Sequence, residues 1–380
     1  LSSNLFFNST GTSLVSVGNS ALYNTANTEY LSRTPSGAGT SATTWTMSFW
    51  VYRSRFGGSN GSSLFGCTPA TNTTLQVYFS TSDTLKLHYI LSLTDKVVLE
   101  TTQVFRDIGW YHICVVADTS NAVANNRVRF IVNGERVTAF STETQNSGSG
   151  NNIAWNSAST NHVIGAILNT SSVLSWPADS YFAEVVFLDG TASSNGSEFA
   201  EYDSSGLYWT PKSSDAIKAL TFGTNGFYLD NTTNAETDAS GEGNNWTNNN
   251  TVTTTTNSPT NVSALLNPLS QASTSGTVSI GDTRYTGAGA YMRSGLMTTL
   301  PCDSDGKWYW ETRIAGIYTT NAYSMFGVSP SDLPRSTDSY ATTPGNTNFQ
   351  GGQLYFSGSS YTYLKANAAA QNDNVVSSMT

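Results

Sequence analysis

The chain has 380 residues, a formal net charge of −9 and only 11% charged residues. Ser, Thr and Asn together fill more than a third of it, with 32 Gly besides, and this mix of turn-formers and β-compatible hydroxyl residues argues against a helix-rich enzyme. The 17 Lys and Arg are scattered singly, which excludes a phosphate-binding stripe and hence nucleic acid, and the longest apolar runs, such as Tyr111 to Ala117, fall far short of the roughly 20 residues that span a bilayer.

Short alternating segments separated by Gly, Asn and Ser clusters recur from Leu5 to Leu188, the pattern of an antiparallel sandwich. In Trp45 to Tyr52, residues Trp45, Met47, Phe49 and Val51 share one face and Thr46, Ser48, Trp50 and Tyr52 the other, so both faces carry apolar groups and the strand is expected to be central. Tyr111 to Ala117 reads similarly, with Cys114 a small buried residue. Arg127 to Val132 runs into Asn133-Gly134, which predicts a type I′ hairpin because both turn positions need positive φ. Tyr181 to Leu188 is a further strand ending on the turn pair Asp189-Gly190.

From Asn231 to Asn261 little remains to bury beyond Trp246 and Val252, which predicts a linker or surface strap. Alternation returns at Lys307 to Ile314, with Tyr323 to Val328 and Gln353 to Phe356 as later strands, and residues 366–380 are polar. The organisation expected is a sandwich over 1–210, a polar connector over 211–262 and a second β domain over 263–380. Cys67, Cys114 and Cys302 are an odd, widely spaced set that implies neither a zinc site nor a disulfide framework. The chain opens on Leu1, as expected of a processed product or an excerpt, with no signal-peptide pattern.

Several blocks occur in one order: Glu29 to Pro35, Thr44 to Val51, Gly109 to Val116, Arg127 to Val137, His162 to Gly165 and Phe182 to Gly190, then Phe222 to Asp230, Asp238 to Trp246 and Leu266 to Leu269. In that order they resemble the laminin-G-like, concanavalin A-like jelly-roll proteins of tailed bacteriophages. Gly306 to Glu311 with Phe326 to Val328 resembles the opening half of a SPRY-type sandwich, whose later Gly-Asp-x-Ile-Gly and Lys-Asn-Gly patterns do not follow. The resemblance implies an all-β, concanavalin A-like jelly roll followed by a partial SPRY-like β-sandwich, completed by further chain or by another polypeptide.

The function it implies is non-enzymatic: a virion surface protein, of tail-fibre or appendage type, with other virion proteins as partners, a homotrimer as the usual assembly and host surface polysaccharide as a ligand. A capsid-decorating or head-fibre protein, a secreted adhesin and a glycan hydrolase are the alternatives. Glycosidases need two carboxylates about 5–9.5 Å apart. Glu201-Tyr-Asp203 resembles the start of a laminarinase-type Glu-x-Asp-x-x-Glu strand, but Gly206 stands where the third acid belongs. Glu184 and Asp189 fall on opposite faces by parity. A Ser-His-acid triad is not expected among so many serines, and of His88, His112 and His162, His112 reads as a strand residue bonded to backbone.

Calcium is the metal implied, because laminin-G and pentraxin-like sandwiches hold it in rim loops, with Asp118 and Asp179 as the candidate ligands. For glycan contact the candidates are Trp155 and Trp176, each in a polar loop where an indole is either a sugar platform or a plug on the core.

Overall fold

The computed structural model describes residues 15–56, 60–146, 148–262, 264–267, 276–287, 298–299, 352–357 and 360–366. The chain divides into two compact units, residues 1–263 and 264–380.

In the first unit β1 (Ser20–Tyr23), β2 (Tyr30–Arg33) and β3 (Thr44–Arg53) are followed by four consecutive hairpin-linked strands. These are β4 (Ser62–Ala70), β5 (Thr73–Phe79), β6 (Thr84–Leu91) and β7 (Thr94–Val104). Next come β8 (Trp110–Asp118), β9 (Val128–Val132), β10 (Glu135–Arg136), β11 (Phe140–Gln145) and β12 (His162–Ile164). The short β13 (Ile167–Leu168) and β14 (Leu174–Ser175) lead into β15 (Ser180–Asp189), then β16 (Ala200–Tyr202) and β17 (Trp209–Pro211). One short helix, α1 (Ser214–Lys218), precedes β18 (Phe227–Leu229), β19 (Thr247–Asn249) and β20 (Thr253–Thr255).

Two antiparallel sheets face each other. The first runs β10-β9-β8-β3-β15-β1-β20, with β18 also on β15; the second runs β11-β7-β6-β5-β4-β12-β2-β19. Strand β3 is central, between β8 and β15, as its two apolar faces predicted. Its Trp45, Met47, Phe49 and Val51 enter the inter-sheet core against Leu75, Val77, Phe79, Leu85 and Leu87 of the second sheet. The reverse side of the first sheet is covered too. There Cys114, Val116, Ile131, Val186 and Leu188 pack under Phe199, Ile217 and Phe222 from the excursion that follows β15. The Asn133-Gly134 turn has φ of 50° and 80°, the positive pair a type I′ hairpin needs.

The region read as a connector is part of this sandwich. β18 pairs with β15, β19 with β2 and β20 with β1, so residues 211–262 extend both sheets instead of linking two domains. Trp246 and Val252 are in the core, with Trp246 edge-on to Phe227 at 5.0 Å. Unlike β18, a short apolar run of Phe, Tyr and Leu, β19 and β20 look like linker in the sequence because they are edge strands of Thr and Asn. Their polar side chains bond backbone, as when the Asn248 and Asn249 amides donate to the carbonyls of Val252 and Tyr30. Around β19 and β20 the burial comes from Trp246 and Val252, while β18 buries Phe227, Tyr228 and Leu229.

In the second unit β21 (Gly276–Ser279) pairs with β22 (Arg284–Gly287) and β23 (Gly352–Ser357) with β24 (Ser360–Ala366). The Lys307 to Ile314 and Tyr323 to Val328 segments, and Cys302, lie outside the described residues.

Candidate glycan-contact face

The residues weighed for catalysis do not assemble into a site. His112 is fully buried: its Nδ1 accepts from Trp209 Nε1 at 2.9 Å, leaving Nε2–H to donate to Ser48 Oγ at 2.8 Å. Its ring therefore bonds side chains rather than the expected backbone. Burial lowers this imidazole to about 3 and pushes the neighbouring Cys114 thiol up to about 12, so neither ionises near neutrality. His162 donates from Nδ1 to Thr160 O and accepts the Asn156 N–H at Nε2, and burial lowers it to about 4.

Asp189 accepts hydrogen bonds from the backbone of Thr40, Ser41 and Asn225 and from the Asn156 amide, tying three loops together at one end of the sandwich. Asn156 and Asn225 line a small cleft with Arg33 and Trp246, but their amides are spent on each other, on Asp189 and on backbone carbonyls. Glu184 bonds elsewhere, to the Tyr228 hydroxyl. Asp203 is a loop staple that accepts the Leu207 and Tyr208 N–H groups, and Glu201 lies on the surface 4.0 Å from Lys212.

The two calcium candidates are far apart. Asp118 pairs with Thr44 at one end of β3, while the Asp179 carbonyl accepts the Ser54 N–H just past the other end. Ten residues of strand separate them, about 30 Å. The Asp118 carboxylate accepts from Ser120 and Asn121, and Asp179 Oδ1 is buried without a hydrogen-bond partner. Burial raises the Asp179 carboxyl against the lowering effect of Arg55. Calcium takes about six to eight oxygens. Among the described residues no three His, Cys, Asp or Glu side chains converge as a metal site, and Asp118 and Asp179 do not belong to one centre.

The two indoles have different fates. Trp155 is only 2% exposed and packs edge-on against Phe65 at 4.8 Å and His162 at 4.5 Å, so it plugs the core and offers no platform. Trp176 is half-buried on the outer face of the second sheet, T-shaped against Tyr78 at 5.0 Å. Its φ is 52°, a left-handed conformation costly for a bulky residue. It is held there by the Ser63 N–H donating to its carbonyl at 2.9 Å.

This outer face is a second aromatic and polar surface that the loop-based reading missed. The β13–β14 hairpin folds over its β4–β12–β2 side, where Leu168 packs with Val163 and Ala166 and a Cβ on Gly66 would strike Ile167. Trp176 follows directly at the hairpin's end. Beyond it two rungs cross the sheet. One is Tyr78, Lys86, Glu100 and Thr142; the other is Gln76, His88, Val98 and Thr144. The inward neighbours Leu75, Val77, Leu85, Leu87, Val97 and Leu99 are fully buried, so parity alone aims these residues outward. That alternation was available in the sequence and could have found them.

Lys86 Nζ lies 3.1 Å from Glu100 Oε2, and the Tyr78 hydroxyl bonds the same ammonium. Burial would lower Lys86, but these bonds outweigh it and the net shift is upward. Burial likewise opposes ionisation of Glu100, whose bonds from Lys86 and Thr84 bring the net shift down. His88 Nε2 lies 2.8 Å from Asp95 Oδ1. The Gln76 Nε2 is buried with no hydrogen-bond partner.

No curated protein sequence matches the chain significantly. Among solved structures, it is similar to a SAP-like pentraxin from Limulus polyphemus at 15% identity and a TM-score of 0.36, over 48% of this chain and 81% of that one. A Bacteroides ovatus protein whose description names carbohydrate binding is 14% identical over 63% of this chain and 60% of its own, with a TM-score of 0.43. The Ruminococcus gnavus IT-sialidase CBM40, solved with α2,3-sialyllactose, is 10% identical over 40% of this chain and 79% of its own, with a TM-score of 0.30. Residues 25–169 match the family model of the concanavalin A-like lectin/glucanases superfamily, and the paired antiparallel sheets they help to build are a jelly-roll sandwich of that all-β class.

Proposed function

We propose that the chain is a non-enzymatic glycan-binding protein whose contact surface is the outer face of β5, β6 and β7 beside Trp176. The observation that carries this reading is the half-buried Trp176 ring braced on Tyr78, at the end of the polar rung Tyr78, Lys86, Glu100 and Thr142. An apolar ring face for sugar C–H groups beside side chains that can hydrogen-bond, here Lys86, Glu100 and Thr142, is what hydroxylated ligands need. The family match and the carbohydrate-binding descriptions of the similar structures agree with it.

The setting proposed is the surface of a tailed-phage virion, as a fibre or appendage component in a homo-oligomer, supported by the phage-type order of the sequence blocks. Finding the chain by mass spectrometry in purified particles tests that setting; its absence from them would remove it.

Titration calorimetry of the full chain against a polysaccharide panel tests the binding. Saturable binding with sugar recovered intact is expected, and Trp176→Ala or Tyr78→Ala weakens it about tenfold or more, ~1.4 kcal/mol. Chelator leaves it unchanged. Sugar cleavage, or binding indifferent to both substitutions, contradicts the reading.

A further inference from the structure

We infer that the β16–β17 hairpin is a second saccharide site, on the opposite side of the sandwich from Trp176, so that one chain holds two glycan segments at once; the inference rests on the glycan-binding reading above. Three large apolar side chains stand in solvent on this one hairpin, Tyr202 at 47% exposed, Leu207 at 71% and Tyr208 at 39%. Its base is anchored on the outer side of the first sheet. There Trp209 is buried and its Nε1 donates to His112, while Tyr202 lies edge-on to Trp209 at 5.1 Å and donates its hydroxyl to Glu135 Oε1 at 3.2 Å. Trp176 braces on β5 of the second sheet, so the core separates the two surfaces and one short sugar segment cannot touch both.

The tip is held rigid. The Asp203 carboxylate accepts the Leu207 and Tyr208 N–H groups at 3.1 Å and the Ser205 hydroxyl at 2.8 Å, and the Asp203 N–H donates to the Tyr208 carbonyl. Leu207 and Tyr208 therefore cannot fold back, and little ordering is left for a ligand to impose. With Trp209 turned inward, parity along the ladder turns Tyr208, Thr210 and Lys212 outward beside Glu201, the partner of Thr210. Lys212 Nζ and Glu201 Oε2 are only loosely paired at 4.0 Å and both side chains reach solvent, so the ammonium can donate to a sugar oxygen and the carboxylate can accept from a hydroxyl. Tyr208 supplies the ring face for sugar C–H groups. The three exposed side chains offer roughly 300 Å² of apolar surface against about 800 Å² per partner in a stable protein interface, so the patch fits a sugar segment and not a protein.

The test is calorimetry of the full chain with laminaritetraose, mannotetraose, maltotetraose and sialyllactose, with thermal melts confirming that each variant folds. For a probe that binds, about two molecules per chain are expected, the tighter at the larger indole ring. Tyr208→Ala weakens the second phase about fivefold or more and leaves the first, and Trp176→Ala does the reverse. Asp203→Ala loosens the tip and weakens the second phase too, while Asp203→Asn keeps an oxygen for the two N–H groups and restores it. A single site that Trp176→Ala abolishes and Tyr208→Ala spares would overturn the second site while leaving the glycan face standing. A single site lost in Tyr208→Ala and kept in Trp176→Ala would overturn the two-site inference and remove the Trp176 face with it. A concentration-dependent dimer in sedimentation that Tyr208→Ala dissolves would give the hairpin to a second copy of the chain and overturn the inference. Binding of no probe would overturn the glycan reading itself.

Discussion

At Glu184 the backbone of β15 turns to φ 50°, where the register with β3 slips between Ala183 and Val186. This bulge seats a carboxyl in a buried position against the Tyr228 hydroxyl. Burial raises it to about 8, against the lowering influence of the Tyr228 bond and Lys218, so it is folded in as the neutral acid. Its ordinary value is 4.5, so the unfolded chain loses this proton first. The contribution to stability is complete below about pH 4.5, declines by ~1.4 kcal/mol per pH unit above that, and is gone once pH passes about 8. Glu184→Gln is expected to flatten that part of the pH profile of urea unfolding; an unchanged slope would show that the carboxyl is not neutral in the fold. The sequence disclosed the acid but not the bulge, because parity assumes an unbroken strand. The same limit applies to the two loop indoles, Trp155 in the core and Trp176 on the face, since nothing local distinguishes a plug from a platform.

Among the elements, β3, β8 and the β9–β10 hairpin were legible from alternation and from Asn133-Gly134, because each is a local pattern that burial on both faces or a tight turn imposes. β18, β19 and β20 were not. β19 and β20 are polar edge strands with one side to bury and one ladder to complete, and β18 is an apolar run of only three residues, so the identity of each depends on the neighbour it joins. Their contribution is measurable. Trp246→Ala removes an indole packed on Phe227 and is expected to cost ~3–5 kcal/mol in chemical denaturation. A cost below ~1 kcal/mol would return residues 231–262 to the status of an external strap.

For the whole molecule, among the described residues every sheet partner of the first unit lies between residues 15 and 262. A fragment of residues 15–262 is expected to unfold in one cooperative calorimetric transition and to bind the same polysaccharide within about twofold of the full chain. A fragment ending at residue 210 lacks the strands on β15, β2 and β1 and is expected to melt at a lower temperature, with Phe227 and Trp246 missing from the core. Equal melting of the two fragments would show that the later strands add nothing.

Composition and alternation by themselves determined an all-β sandwich, the central place of β3, the type I′ turn and the lack of a dense cationic surface, since these follow from local sterics, side-chain parity and charge count. Only the tertiary structure decided that 211–262 belongs to the sandwich and that His112 and Asp189 are spent on internal bonds. It also separated Asp118 from Asp179 by the length of β3 and put Trp176 against Tyr78. Each of these depends on which distant strands become neighbours, and that is set by closing two sheets over one core rather than by any segment's own preference.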